Sequence, residues 1–432
     1  MQNKNYIGSI IVWTLALVPV VLWFAAPLGS GRFSATSIAL TSLGQLTALV
    51  GTCLFALNLV LSARLKFVAN LFKSLNIMYL RHANFGKYAV VLLLFHPLLL
   101  LGTYSGGSLG SAVQFLLPSR DWPTNFGFLS LALLVVLVVL TLYLRPKYHI
   151  WKWTHKCMGL AFFLGALHAW LIPSTMGTYL PLRYYVLGLS FLGLTAYVYH
   201  TILGRFLVPH TTYMVSNVEV LNNRATHVTM KPAGKAIRFE PGQFMFVSFD
   251  DANVGSESHP FSITAGPNED LSITAKKLGD YTEKLPELKV GARVRVEGPF
   301  GAFSHTRAEH SRQVWIAGGI GITPFVSMAK ALARDPKYRV MLYYAVHNKQ
   351  EAVYYDELKK LADSSGGALA LELFCSDEQG KIDASYISAK NSDLKNADVF
   401  LCAPPSMIHA LKAQFLALGI PQSQLHSEEF SL

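Results

Sequence analysis

The chain has 432 residues, a length that predicts two or three domains rather than one. Its charge is uneven: residues 1–205 hold 14 Lys and Arg but a single acidic residue, Asp121, and the other 227 positions hold 23 basic and 25 acidic residues. The net charge of +11 therefore belongs to an apolar half, which is typical of basic loops between membrane spans and argues against nucleic acid as a partner. The four cysteines are scattered and form no CxxC pair, so they indicate neither a disulfide scaffold nor a zinc or iron–sulfur site.

Apolar segments come first in the chain, and each is close in length to the ~20 residues that cross ~30 Å of hydrocarbon. The first one is long and has no Ala-x-Ala site behind it, so it is predicted to be a membrane helix rather than a removed leader. The six predicted spans are 7–27, 38–61, 86–104, 126–144, 157–172 and 183–203.

The segments that join these spans differ in charge from one side to the other. The basic side carries Arg64, Lys66, Lys73, Arg81, Lys87, Arg145, Lys147, Lys152, Lys156 and Arg205. The opposite side carries only Arg32, Arg120 and Arg183. Because cytoplasmic loops hold the excess of Lys and Arg, the N-terminus and everything after residue 205 are predicted to be cytoplasmic. The chain is thus predicted to be a multi-pass protein of the plasma (inner) membrane.

Four histidines lie in or at the ends of the third and fifth predicted spans. His82 and His96 are 14 residues apart, which is ~21 Å of helix rise and nearly a whole number of turns. His155 and His168 are 13 residues apart, ~19.5 Å of rise, so the two sets match in depth. Ionisable groups at membrane depth are costly and usually functional. The pattern predicts two bis-histidine haem sites, His82 with His155 and His96 with His168.

The 13-residue spacing fits this prediction less well, because on an ideal helix it leaves His155 and His168 ~140° apart. Either the width of a haem or a distortion of the helix is expected to absorb this difference, and Gly159 and Gly165 lie in the interval where they would allow the distortion. The alternative for any one of these histidines is a structural hydrogen bond to a neighbouring carbonyl. His149 and His200 have no partner at matching depth and are given no role.

After residue 208 the pattern changes to short, partly alternating segments with Gly and Pro between them, which predicts an antiparallel β-barrel to about residue 305. Apolar strands then alternate with helices, the pattern of an α/β nucleotide-binding domain. The predicted domains are a transmembrane domain over 1–205, a β-barrel over 208–305 and an α/β domain over 306–432.

Two segments of the predicted barrel have the chemistry of a flavin site. In the first, residues 259–264, an aromatic side chain can cover the isoalloxazine ring and Ser or Thr hydroxyls can bond to it. The alternative for this segment is a strand with an ordinary buried Phe. In the second, a Gly before a helix offers backbone amides to a pyrophosphate. The predicted FAD ligands are His259, Pro260, Phe261, Ser262, Ile263, Thr264, Lys276, Gly279, Tyr281 and Thr282.

A glycine cluster links the first strand of the α/β domain to its first helix. Glycines let the backbone approach a dinucleotide phosphate, and a helix N-terminus favours an anion. The cluster lacks the third glycine of GxGxxG, and by itself it is a weak signal. The predicted nicotinamide-nucleotide ligands here are Gly318, Gly319, Gly321, Thr323 and Pro324.

Taken in this order, the motifs resemble those of the NADPH oxidase and ferric reductase superfamily over residues 38–432, most closely its single-chain bacterial members. The paired histidines, His-Pro-Phe-Ser at 259–262, Gly-Asp-Tyr-Thr at 279–282 and Gly-Ile-Gly-Ile-Thr-Pro-Phe at 319–325 match the family pattern. The resemblance implies two b-type haems, FAD and NAD(P)H. It also implies that Cys402 lies near the nicotinamide and that Phe430 covers the flavin.

Two departures from the family limit what this resemblance implies. The Arg that often binds the 2′-phosphate of NADPH is replaced by His347, for which Lys349 and Lys381 could substitute, so NADPH is expected with NADH as the alternative. The oxygen pocket of the superoxide-forming oxidases has an Arg and a second His, whereas Gln45 and Leu100 stand here. Oxygen is therefore a doubtful dedicated acceptor.

The expected activity is electron transfer from cytoplasmic NAD(P)H through FAD and two haems to an acceptor outside, most simply Fe(III) complexes. Superoxide production is one alternative. Another is an electron-donor module for an extracytoplasmic protein docked at the outer loop 105–125, although nothing in the sequence requires a protein partner. A haem-binding sensor is a third, which the nucleotide motifs argue against. Phe162 or Phe163 lies between the two histidine levels and could bridge them, though packing is the simpler role.

Overall fold

The computed structural model describes residues 7–27, 31–104, 118, 120–144, 146–332, 337–391 and 393–429. The chain divides into two compact units at residues 208 and 209. The first unit is helical, with its elements at α1 Ile7–Ala25, α2 Thr36–Ser62, α3 Lys66–Leu71, α4 Leu75–Tyr104, α5 Trp122–Val139, α6 Tyr148–Lys156, α7 Met158–Leu171, α8 Thr175–Thr178, α9 Leu180–Tyr197 and α10 Gly204–Leu207. Short π-helical turns, Leu140–Leu144 and Val198–Ile202, continue α5 and α9.

Within the described residues, five helices are long and apolar enough to cross a membrane. They are Ile7–Ala25, Thr36–Ser62, Leu75–Thr103, Trp122–Leu144 and Leu180–Ile202. The third begins at Leu75 rather than at 86, which corrects the predicted start. The predicted span 157–172 is the 14-residue α7, which is shorter than a full span, so six crossings remain a prediction.

Small residues let the helices of this unit approach closely. A side chain at Gly193 on α9 would lie 2.7 Å from the carbonyl oxygen of Ala56, and one at Gly51 would lie 2.9 Å from Leu93. Close backbone contact through small residues is how apolar helices associate where no hydrophobic driving force separates them from lipid. The α2 helix is the centre of the unit, since it packs against α1, α4 and α9.

The second unit begins with an antiparallel sheet whose strand order is β4-β3-β6-β1-β2-β5. A bridge between Ile263 and Ile273 joins the two edges and closes the sheet into a barrel. Its strands are β1 Thr211–Leu221, β2 Ala225–Pro232, β3 Phe244–Asp250, β4 His259–Ser262, β5 Leu271–Lys276 and β6 Arg293–Phe300. Closure removes the unpaired edges that an open sheet would expose.

A parallel sheet follows, with strand order β11-β10-β7-β8-β9. Its strands are β7 Arg312–Gly318, β8 Arg339–Val346, β9 Leu369–Cys375, β10 Asp398–Cys402 and β11 Leu425–Glu428. The helices of this unit are α11 Asp280–Glu283, α12 Thr323–Leu332, α13 Tyr355–Ser364, α14 Ser376–Gln379, α15 Ala384–Lys390 and α16 Pro405–Ala417. Helices α12, α13, α15 and α16 cover the apolar side chains on the two faces of the sheet, as expected for a parallel sheet.

Candidate cofactor-binding sites

The helical unit brings the four predicted histidines together as two pairs. The ring centres of His82 on α4 and His155 on α6 are 6.3 Å apart. Those of His96 on α4 and His168 on α7 are 6.5 Å apart. The pairs therefore lie at two levels along the same two walls of the bundle, in the combination that the spacing predicted.

Backbone carbonyls fix three of the four rings. The Nδ1–H of His82 donates to the carbonyl of Asn58 at 3.1 Å, that of His96 to Gly44 at 2.9 Å, and that of His168 to Pro123 at 2.7 Å. A carbonyl can only accept, so each bond places the proton on Nδ1 and leaves Nε2 with a free lone pair. This is the tautomer that a metal ligand requires, held by the carbonyl behind it.

The 13-residue spacing between His155 and His168 does not fit one continuous helix, and a break at Cys157, rather than at Gly159 or Gly165, accommodates it. The backbone of Cys157 ends α6 and starts α7, with φ −66° and ψ −8°, so the two histidines sit on separate helices. The expectation that Gly159 and Gly165 distort the helix is wrong. A side chain at Gly159 would lie 2.3 Å from the ring of Tyr197, and one at Gly165 would lie 3.0 Å from the Ser130 hydroxyl, so both glycines serve close helix packing.

The donor set and its spacing fit haem rather than a bare metal ion. No cluster of three or more His, Cys, Asp or Glu side chains placed to hold a metal occurs within the described ranges. A haem macrocycle supplies the equatorial ligands and takes only axial ligands from the protein. Metal–imidazole bonds are about 2 Å long, so the ring separations of 6.3 and 6.5 Å leave room for one metal atom in each pair. Gly127 adds to the fit, since any side chain there would lie 2.9 Å from Nδ1 of His168.

One of the two candidate bridging aromatics faces inward. Phe162 is buried and its ring centre is 5.0 Å from that of Phe55 on α2. Phe163 is 47% exposed on the outside of the unit, where the apolar side chains of the helices also point. Of the two residues, only Phe162 therefore lies inside the unit.

The predicted flavin motif forms strand β4 at one edge of the barrel sheet. His259 packs against Tyr281, with ring centres 3.9 Å apart, and its Nε2–H donates a 3.1 Å hydrogen bond to the Glu257 carboxylate. The hydroxyls of Ser262 and Tyr281 are buried and have no hydrogen-bond partner in the described part of the chain. Buried polar atoms are rarely left unpaired, so these two hydroxyls are places where a bound flavin fits.

Two residues of the predicted motif, Ile263 and Thr264, direct their side chains into the barrel. The side chain of Ile263 lies in the barrel core, and the hydroxyl of Thr264 pairs with that of Ser272 at 2.9 Å inside it. Their backbone amides donate to Gln243 and Ser272. The cofactor contact predicted for Ile263 and Thr264 is therefore not supported, because every donor and side chain they offer is already used.

The predicted pyrophosphate segment is organised by Thr282. Its hydroxyl oxygen accepts hydrogen bonds from the backbone amides of Leu278 at 2.9 Å and Gly279 at 3.2 Å. The amide of Gly279 is therefore satisfied within its own turn, contrary to the expectation that it faces a phosphate. Lys276 is 3.8 Å from Glu351 of the α/β domain, and Glu351 also binds Arg224 at 2.8 Å. Lys276 thus contributes to the junction between barrel and α/β domain.

A different structural constraint favours glycine at each glycine position of the nicotinamide cluster. Gly319 has φ 55°, in the left-handed region that favours glycine. A side chain at Gly321 would lie 2.1 Å from the carbonyl oxygen of Cys402, and one at Gly318 would lie 2.7 Å from Ala403. Thr323, at the start of α12, donates to the carbonyl of Ile320 at 3.0 Å, and Pro324 is buried beside it. The turn therefore passes close to the end of β10.

The remaining predicted ligands of this domain are spread around the carboxyl end of its sheet. Cys402 ends β10 and is fully buried; burial, and then the nearby Glu428, raise the pKa of its thiol, which stays neutral. His347 follows β8, is exposed, and lies 3.5 Å from the Ser376 hydroxyl. Lys381 is also exposed. Phe430 and most of the loop 105–125 lie outside the described residues.

The sequence could not have indicated the backbone carbonyls of Asn58, Gly44 and Pro123, because any residue carries a carbonyl. Gly127 was also missed, although a glycine at membrane depth opposite a histidine is a signal that could have been used.

Three family models match the chain in succession. They are a ferric reductase like transmembrane component over residues 47–166, an FAD-binding domain over 210–304 and an oxidoreductase NAD-binding domain over 315–413. In this order they give the chain the domain architecture of the NADPH oxidase and ferric reductase superfamily.

Two curated relatives each match a little under half of this chain. The ferredoxin reductase component of 3-ketosteroid-9-alpha-monooxygenase from Mycobacterium tuberculosis is 28% identical over 201 residues, 45% of this chain and 56% of that protein. Flavohemoprotein A of Dictyostelium discoideum is 27% identical over 220 residues, 46% of this chain and 55% of that protein. The chain spans about half the length of the curated relatives that it matches. Among solved structures, the FAD/NAD-binding domain of a Vibrio cholerae nitric oxide dioxygenase is 24% identical, with a TM-score of 0.46, over 51% of this chain and 98% of that one.

Proposed function

We propose that this chain carries electrons from cytoplasmic NAD(P)H through FAD and two b-type haems to Fe(III) complexes outside the plasma membrane. The observation that supports it most directly is the pair of facing imidazole sets, 6.3 and 6.5 Å between ring centres, stacked at two levels of an apolar helical unit. The matching FAD-binding and NAD-binding domains supply the other half of the path.

A bound FAD would supply two-electron acceptance of a hydride and bound haems would supply one-electron transfer, so together they would connect a two-electron donor to a one-electron path. The chain's own residues position these groups. The hydroxyls of Ser262 and Tyr281 would bond to the flavin, and the turn at Gly319 would admit the nucleotide phosphates. The carbonyls behind His82, His96 and His168 accept from Nδ1–H, which leaves each Nε2 unprotonated and would let it bind a haem iron.

The geometry near His96 favours an acceptor other than a dedicated oxygen site. Leu100 packs on Gly44, 3.4 Å from the position of a side chain there. The amide oxygen of Gln45 is occupied by the Trp23 indole at 2.9 Å and the Thr175 hydroxyl at 3.1 Å. Leu100 and Gln45, which stand at the places of the oxidases' His and Arg, carry no positive charge of their own to stabilise superoxide as it forms.

For the nucleotide, we propose that His347 and Lys381 contact the 2′-phosphate of NADPH, with NADH as the alternative donor. Both side chains are exposed, and His347 follows β8 at the carboxyl end of the sheet, where ligands of such sheets bind.

The haem assignment is tested by replacing one ligand in the full-length protein. We expect His96→Leu to remove one of two haems per chain, measured as haem absorbance per protein, while His200→Gln, a histidine of the same unit that belongs to neither pair, keeps both. Retention of both haems in His96→Leu would contradict the assignment.

The acceptor is tested with NADPH and FAD in air, using cytochrome c as the reporter and superoxide dismutase as the probe. We expect the dismutase to remove little of the reporter reduction, while a ferric chelate is reduced at a similar or faster rate. Removal of most of the signal would make oxygen the acceptor. Turnover that requires a co-purifying protein would instead favour the electron-donor module.

A further inference from the structure

A cavity of about 310 Å³ opens between the end of α1, the start of α2 and the start of α8. Its walls include Trp23, Arg32, Ser42, Gln45 and Thr175. The volume is at the lower end of the about 300–1,000 Å³ typical of small-molecule sites. The cavity lies at the end of the bundle that holds the His96–His168 pair, because Gln45 directly follows Gly44, whose carbonyl accepts from His96.

Among the described residues that line this cavity, none is a carboxylate that could pair with Arg32. Its terminal nitrogens donate to the carbonyls of Phe24 at 3.0 Å and Ala26 at 2.6 Å at the end of α1, and its guanidinium lies 4.5 Å above the ring of Trp23. Its Nε–H is buried and meets no acceptor in the described residues. Asp121, the single acidic residue of positions 1–205, caps α5 through Thr124 and is not part of the cavity.

Gln45 adds further donors to the same wall. Its amide oxygen accepts from both Trp23 and Thr175, so the orientation of the amide is fixed and its two N–H groups remain for another partner. A positive charge, an unpaired guanidinium N–H and a free amide group are the chemistry that binds an oxygen-rich anion. A neutral or cationic ligand would leave Arg32 uncompensated.

We propose that this cavity binds an anionic, carboxylate-bearing ferric complex at the electron exit, with Arg32 and Gln45 contacting its carboxylate oxygens. The proposal rests on the proposed function, because it assumes that electrons leave near His96. One electron then reduces Fe(III) to Fe(II) with no bond made or broken in the carboxylate ligand, and NAD(P)H is the ultimate donor. The peptide bond from Gln45 to Gly44 and the hydrogen bond to His96 form a short connected path from the cavity wall to that ring.

The test uses binding rather than turnover, so that it does not depend on electron flow. Gallium(III)–citrate, a redox-inert substitute for the ferric complex, is titrated into the oxidised full-length protein in neutral detergent and its Kd is measured by calorimetry. We expect Arg32→Gln to weaken binding by about tenfold or more, because a charge-assisted hydrogen bond to a carboxylate is lost. The matched control is Arg120→Gln, which removes the same charge from an exposed position on the same predicted side.

A second variant tests the same cavity independently, so that the test remains informative if Arg32→Gln does not fold. Gln45→Glu has the same shape and keeps an oxygen for Trp23 and Thr175, but it replaces the free N–H groups with a negative charge. We expect it to retain its haems and to weaken gallium–citrate binding at least as strongly. In turnover, both variants should raise KM for ferric citrate and should not raise KM for cationic hexaammineruthenium(III), which a more negative cavity attracts.

The outcomes separate the two proposals. If the parent protein reduces ferric citrate but Arg32→Gln and Gln45→Glu bind gallium–citrate as tightly as Arg120→Gln does, the cavity assignment is overturned and the proposed function stands. If the parent protein binds no gallium–citrate, the assignment is likewise overturned. If the parent binds it with the expected variant pattern but NAD(P)H reduces no haem, the binding site stands and the proposed function fails.

Discussion

Ser262 offers a residue-scale test of the flavin site, because its buried hydroxyl has no partner among the described residues. If that hydroxyl serves FAD, Ser262→Ala removes a ligand contact and no contact within the protein. We expect FAD to bind about tenfold more weakly, the effect of losing about 1.4 kcal/mol from one hydrogen bond, with the melting temperature of the flavin-free protein unchanged. Flavin fluorescence during titration gives the Kd.

Ser272 provides the matched control on the neighbouring strand. Its hydroxyl pairs with that of Thr264 inside the barrel, so Ser272→Ala removes a buried hydrogen bond and should lower the free energy of unfolding by about 1 kcal/mol. FAD affinity should change little once the protein is folded. Equal effects of the two substitutions on the Kd would show that the Ser262 hydroxyl has no specific role.

Residue spacing predicted the haem-type pairs but not how the helices accommodate them. The 14-residue interval on α4 keeps His82 and His96 on one face, as a continuous helix requires. The 13-residue interval cannot do this on one helix, and the break at Cys157 solves it. A local change in ψ at one residue leaves no mark in the residue types, which is why the sequence pointed to the glycines instead.

At the scale of elements, three strand ends of the parallel sheet are joined by one carboxylate. Asp398, at the start of β10, accepts from the His310 ring at 3.0 Å and amide at 2.7 Å, and from the His426 ring on β11 at 2.7 Å. Burial alone would raise the pKa of Asp398, but these hydrogen bonds outweigh it and hold the pKa below the ordinary 3.8. The carboxylate form therefore stabilises the fold.

The sign of the pH dependence follows from that depressed pKa. The stabilisation is fully present above the ordinary pKa of an unfolded Asp and is lost as the pH falls through the lower folded value. We expect Asp398→Asn to lower the free energy of unfolding by about 1–3 kcal/mol at pH 7, and the difference from the parent to shrink below about pH 4. Thermal melts from pH 7 to 3 measure it; a difference that does not change with pH would contradict the role of the charge.

The helices and strands that could be predicted are those with a clear apolar run or helical periodicity in their own residues. Strands β7 to β10 and helices α12, α13 and α16 follow from apolar runs and helical periodicity. Strand β11 was missed because Leu425–Glu428 has one apolar residue and depends on pairing with β10. The start of α4 was missed because polar residues precede position 86, although Leu75, Met78 and Phe85 are buried at helical spacing.

At the scale of the whole molecule, charge separates the two units as clearly as fold does. The helical unit has a net charge near +13 and the second unit near −2. The positive charges gather at the segments predicted to be cytoplasmic, which include the ends of the helices nearest to His82 and His155. We propose from this charge pattern that the second unit is cytoplasmic and that the acceptor is on the opposite side of the membrane.

This arrangement depends on the orientation in the membrane, which thiol labelling in intact cells measures. In a Cys157→Ser background the other three cysteines are buried, so an introduced exposed cysteine is the main target. We expect Ser34→Cys, in the connection between α1 and α2, to react with an impermeant maleimide from outside. Gly234→Cys, where a side chain would meet no atom within 4 Å, should react only after the cells are opened. The opposite pattern would place NAD(P)H oxidation and acceptor reduction on the wrong sides for this function.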